Sequence, residues 1–227
     1  MPNYVRTRIS FNKRANEIRN FVKGEDSAFD FNKVIPMPEE LDITSGSVGT
    51  YGMEYLLATA KHPSVRTESD KKVIEFVSKQ PDFNEWVELG KKYLSNTTKY
   101  GCPTWHEWRN ANWNTKWNAC DAVDYTDDCD GDYGYIEFET AWDFCYPVVK
   151  RLSELFPDVE FEYVFADEDT SYNTGRGCYV NGEDISADRP DGSSKEAYEI
   201  YFDLWPEDEE YYEFNEDTGT YDYIEED

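Results

Sequence analysis

Val159-Glu160-Phe161-Glu162-Tyr163-Val164-Phe165 alternates apolar and polar side chains along nearly its whole length. A repeat of two puts Val159, Phe161, Tyr163 and Phe165 on one face, the pattern of a half-buried β-strand. Just upstream, Phe144, Val148, Leu152 and Leu155 recur at helical spacing, and Pro157-Asp158 ends that helix. Before it, Tyr135 to Trp142 reads as a strand. It is joined by the turn Thr126 to Gly134 to an earlier strand around Lys116 to Tyr125. At the start of the chain, Val5, Thr7, Ile9 and Phe11 alternate with Arg6, Arg8 and Ser10. A short helix follows, with Ile18, Phe21 and Val22 on one side and Gly24 as its stop. The order is β-α-β-β-α-β, the split βαβ or ferredoxin-like arrangement. The expected fold class is therefore α+β, an antiparallel sheet with helices on one face.

The segment between the first helix and the second strand is long. Pro36 and Pro38 exclude a helix from Phe29 to Pro38. Residues 42 to 52, rich in Gly, Ser and Thr, read as a loop, and 53 to 100 as helices broken at His62-Pro63 and Gln80-Pro81. The expected organisation is a ferredoxin-like domain over 1–166 with a helical insertion at about 42–100. Residues 167–227 are expected to form an acidic, aromatic-rich, β-rich extension packed on the same sheet. Ala197 to Trp205 reads as an aromatic strand within it.

Two further stretches carry a resemblance. Phe29-Asp-Phe-Asn-Lys-Val-Ile-Pro-Met-Pro-Glu-Glu-Leu41 and Tyr100-Gly-Cys-Pro-Thr-Trp-His-Glu-Trp-Arg-Asn-Ala-Asn-Trp-Asn-Thr-Lys-Trp-Asn118 resemble hallmarks of the YubB-type ferredoxin-like proteins of bacteriophages and conjugative plasmids. The similarity covers roughly residues 1–41 and 100–166. It implies a ferredoxin-like shape and a mobile-element origin, with no iron–sulfur cluster and no catalytic residues to carry over. The family usually has Gly where Asn114 stands, so a different local turn is expected there.

Charge is concentrated at one end. Residues 1–100 hold 15 Lys/Arg and 14 Asp/Glu, whereas residues 101–227 hold 7 and 35. From Glu196 onward there are 14 carboxylates and no Lys or Arg. Such a surface repels nucleic-acid phosphates and anionic membranes and suits a cationic groove. Aromatic residues make up 17% of the chain, too many for a disordered polymer. No apolar run approaches the roughly 20 residues of a membrane span. Met1-Pro2-Asn3-Tyr4-Val5-Arg6 lacks the basic-then-apolar pattern of a signal peptide, so the cytoplasm of a bacterial host is the expected location. There, five irregularly spaced cysteines are expected to be reduced thiols.

Motifs that could carry chemistry are few. Trp105, Trp108, Trp113 and Trp117 suit either core packing of a helix on a sheet or an aromatic pocket oriented by a carboxylate such as Glu107. Asp128, Asp130, Gly131 and Glu137 match positions three, five, six and twelve of a calcium loop, but Thr126 holds the first position and the flanks are strands. Cys102 and His106 lack further partners for zinc, and no hydrolase, metalloprotease or phosphate-loop pattern occurs. Neither cofactor, metal site nor catalytic residue is expected. The expected function is non-enzymatic: an anti-defence protein whose acidic face imitates nucleic acid and blocks a host protein's basic groove. The expected contacts are Glu196, Glu199, Asp203, Glu207, Asp208, Glu209, Glu210, Glu213, Glu216 and Asp217. The alternative is a small-molecule or nucleotide binder using the Trp motif.

Overall fold

A computed structural model describes residues 3–224; the first two residues of the stretch read for a signal peptide and the last three of the acidic tail lie outside the described residues. The chain divides into two compact units, one built from the chain up to Pro36 and from Ala111 onward, the other from Met37–Asn110. The first unit contains strands β1 (Tyr4–Phe11), β2 (Cys120–Asp124), β3 (Gly134–Ala141), β4 (Phe161–Asp167), β5 (Thr174–Val180) and the two-residue β6 (Glu183–Asp184). They form one sheet in the order β2-β3-β1-β4-β5-β6, and every pairing is antiparallel. Its first four strands, with helices α1 (Ala15–Val22) and α6 (Tyr146–Leu155) as the crossovers, are the ferredoxin-like α+β fold read from the sequence.

Register sorts the two faces. Ile9 lies opposite Ile136 and Tyr163, and Thr7 opposite Phe138 and Phe165. These side chains are buried, as are Ile18 and Val22 of α1 and Val148, Val149 and Leu152 of α6. Phe29 and Phe31 close this layer edge-on against Phe138, with ring centroids 5.1 and 5.7 Å away. The opposite face carries Arg6, Arg8, Glu137, Glu139, Glu162, Val164 and Ala166, by the same period of two.

That second face is also covered. The segment expected as a strand, Ala197 to Trp205, is helix α7 (Lys195–Leu204). Its alternation of aromatics imitates a strand, but Ala197, Ile200, Tyr201 and Leu204 fall at i, i+3, i+4 and i+7 and are all buried. Ser194 starts it, its side chain accepting from the Ala197 N–H. Helix α7 packs on β4 and β5, so the extension puts a helix on the face opposite α1 and α6. Asn114, just after helix α5 (Trp105–Trp113), has φ +61°, the left-handed region that Gly favours and Asn tolerates. Asparagine here therefore serves the turn that a glycine would.

The second unit packs α2 (Ser47–Ala60), α3 (Glu68–Ser78) and α4 (Phe83–Tyr100). The Gly/Ser/Thr stretch expected as a loop to residue 52 is helical from Ser47. Its glycines serve packing. A Cβ on Gly52 would meet the Trp86 carbonyl oxygen at 2.0 Å, and one on Gly90 would meet the Gly52 carbonyl carbon at 2.2 Å. Backbones this close admit no side chain, which outweighs the helix propensity glycine forfeits. This unit is nearly neutral, with nine Lys/Arg against eleven Asp/Glu, so almost all the net charge of −27 belongs to the first unit. No helix among the described residues is long and apolar enough to cross a membrane.

Candidate protein-binding surface

Two arginines of the central strand hold the acidic extension on the sheet. Arg8 Nε donates to Glu137 Oε1 at 2.6 Å, directly across the ladder, and its Nη1 donates to both Asp203 carboxylate oxygens at 3.0 and 3.1 Å. Arg6 bridges Glu139 and Glu207 at 3.3 Å each and donates to the Leu204 carbonyl at 2.8 Å. Its guanidinium lies 3.7 Å above the Trp205 ring. Both cations sit at the C-terminal end of α7, where the helix dipole is negative. Asp203 and Glu207, two of the residues expected to face a partner, are thus engaged within the chain. The sequence carried part of a signal for this: two arginines on the outer side of a central strand need anionic company, which the adjacent strand supplies through Glu137 and Glu139 and the extension through Asp203 and Glu207.

After α7 the chain makes a 3-10 turn (Pro206–Tyr211) and a hairpin of β7 (Tyr212–Asn215) and β8 (Thr220–Tyr223). In its register Tyr212 faces Tyr223 and Phe214 faces Tyr221, so all four aromatics share one face. Tyr212 and Tyr221 pack tilted or edge-on against Tyr198 and Phe202 of α7, with centroids 5.2–5.6 Å apart. Glu213 and Asp222 oppose each other on the other face, both exposed. Like charges directly across a ladder are destabilising. Asn215 Nδ2 donates to Asp222 at 2.7 Å.

The remaining carboxylates divide clearly. Asp208 accepts a short hydrogen bond from the Tyr201 hydroxyl; burial and then this carboxylate hold the Tyr201 phenol well above its ordinary range. Glu199 lies 3.5 Å from Lys195. Glu196, Glu209, Glu210, Glu213, Glu216 and Asp217 are exposed. An open groove of about 760 Å³ between α7 and the sheet is lined by Val164 and Ile200 together with Arg8, Glu162, Arg176 and Glu199.

The other sequence motifs are not assembled into sites. Trp113 is wholly buried, its Nε1–H donating to the Ile35 carbonyl at 3.0 Å with its ring edge-on to Phe31. Trp108 is 8% exposed. Trp117 lies beyond the end of α5 and packs on Tyr4. The four tryptophans therefore do not share one helical face. In the calcium-like stretch, Glu137 is paired with Arg8 on the sheet, and Asp132 instead accepts from the backbone N–H groups of Arg14 and Ala15 at the start of α1. Among the described residues no three His, Cys, Asp or Glu side chains are grouped to hold a metal ion. The thiols of Cys120 and Cys178 are pushed up to about 11, by burial first and then by neighbouring carboxylates.

Sheet order, crossovers and covering helices define a ferredoxin-like α+β protein bearing a structured acidic extension. Residues 112–223, just under half of the chain, match the family model for the ferredoxin-like domain in Api92-like protein. The crystal structure of a protein api92 from Yersinia pseudotuberculosis aligns with a TM-score of 0.45 at 10% identity, covering 84% of this chain and 99% of that one. No curated protein matches the chain.

Proposed function

We propose that this chain is a non-enzymatic binding protein that occupies the cationic, nucleic-acid-binding groove of another protein. The observation that carries the reading is the scaffold beneath the charge. Glu209, Glu210, Glu213, Glu216 and Asp217 project from a turn and hairpin whose aromatic face is fixed on α7, and α7 is fixed on the sheet by Arg6 and Arg8. Carboxylates ordered before binding spare a partner the entropy of ordering them. Glu213 and Asp222 face each other at a cost that a cationic partner relieves. The unneutralised charge favours fast, salt-sensitive association with a basic surface and disfavours direct contact with DNA or RNA. The sequence resemblance to phage and plasmid proteins makes a host defence enzyme of the restriction or CRISPR type the natural target, in the cytoplasm of a bacterial cell. A small-molecule pocket at the Trp motif has less support, because Trp113 is sealed in the core.

The test is displacement of labelled duplex DNA from such enzymes. The wild-type chain is expected to compete, less well as salt rises. A variant carrying Glu209→Gln, Glu210→Gln, Glu213→Gln, Glu216→Gln and Asp217→Asn is expected to lose at least about tenfold in potency while melting no lower than the wild type. Unaltered competition by that variant overturns the reading.

A further inference from the structure

We infer that the open end of the hairpin selects arginine over lysine in the cationic partner. This rests on the acidic-surface reading and specifies its chemistry. Four apolar or aromatic side chains are exposed around the hairpin: Tyr211 (38%), Phe214 (42%), Tyr223 (60%) and Ile224 (41%). Tyr211 and Ile224 are tied together at the open end by the Ile224 N–H bond to the Tyr211 carbonyl, 2.8 Å long. Tyr223 precedes Ile224 in the same strand end. The charges of Glu210 and Asp208 lie close enough to push the Tyr211 phenol upward, with Tyr223 also in range. Exposed rings and carboxylates thus lie within a few residues of one another, in a stretch that from Glu196 onward holds no Lys or Arg.

That combination fits a guanidinium. A guanidinium is planar, less strongly hydrated than an ammonium, stacks on aromatic faces, and bonds a carboxylate through two parallel N–H groups. A lysine ammonium satisfies the charge but gains less from the rings. The chain already uses the arrangement internally. Arg6 lies over Trp205 while bridging Glu139 and Glu207, and Arg189 lies 5.1–5.2 Å from the Tyr146, Tyr163 and Phe165 rings. Those arginines are internal; the rings of Tyr211 and Tyr223 have no such occupant among the contacts of the described residues, whereas Phe214 already carries Lys195 at 5.2 Å.

The experiment compares nona-arginine with nona-lysine peptides at matched ionic strength, by fluorescence anisotropy with the full chain. The arginine peptide is expected to bind about three- to fivefold tighter per stacked ring. Tyr211→Leu with Tyr223→Leu is expected to abolish the preference, and Tyr211→Phe with Tyr223→Phe to keep it, each variant retaining its far-ultraviolet circular dichroism. Equal binding of both peptides, or a preference that the Leu pair leaves intact, overturns the inference while leaving the acidic-surface reading standing. Failure of both peptides to bind sinks that reading itself.

Discussion

Arg8→Met removes the guanidinium that joins the central strand to α7 while keeping most of the aliphatic stem. The side chain is about a quarter exposed, and it makes four polar contacts, to Glu137, to both Asp203 oxygens and to the Asp203 carbonyl. Hydrogen bonds to charged groups contribute about 1.5–3 kcal/mol, and the Glu137 carboxylate left behind is itself only a quarter exposed. We expect a loss of about 2 kcal/mol, because Asp203 is half exposed and water repairs that half of the pair. In a chain of this size each kcal/mol lowers the melting temperature by about 2–4 °C, so a fall of about 4–8 °C is expected. Lys195→Met, which removes an exposed pair on α7 and the ammonium's contact with the Phe214 ring, is the control and should cost under about 1 kcal/mol. Thermal unfolding gives the magnitude and amide hydrogen exchange the location: protection should drop first in α7 and the hairpin. A melting temperature no lower than the control's, with exchange in α7 unchanged, would refute the clamp.

Other outcomes follow from the same structure. Gly90→Ala puts a methyl 2.2 Å from the Gly52 carbonyl carbon, so α2 and α4 must separate; a loss of about 3 kcal/mol or more is expected by chemical denaturation, and a neutral result would disprove the close approach. Cys178, with its thiol raised to about 11 from an ordinary 9, carries about a hundredfold less thiolate at pH 8, so iodoacetamide should label it far more slowly than a free cysteine until the protein is unfolded. Asp70, which accepts from Lys61 and from the Thr67 N–H and hydroxyl, is held down to about 2. Its folded value lies below the ordinary 3.8, so it stabilises above pH 4 and that stabilisation is lost as the pH falls through 2; Asp70→Asn should flatten this part of the acid-unfolding curve followed by circular dichroism.

Local pattern determined the ferredoxin-like core. Val159 to Phe165, the helical stripe ending at Leu155, and Val5 to Phe11 each announce their geometry through a period of two or 3.6, because one face of each must leave water. The charge asymmetry needed no coordinates either. Tertiary structure decided what the pattern left degenerate. Ala197 to Trp205 satisfies both periods, and the helix won because its i, i+3, i+4, i+7 stripe found Val164 and Ala166 while Ser194 capped its start. Gly49 and Gly52 look like loop residues until Gly90 and Tyr93 occupy the space their missing side chains leave. Which carboxylates are paired was equally hidden. Glu207 and Glu209 read alike in the chain and both are exposed, and only the position of Arg6, some 200 residues away, pairs Glu207 with a cation. Ion pairing depends on distances in space, and no one-dimensional pattern encodes those.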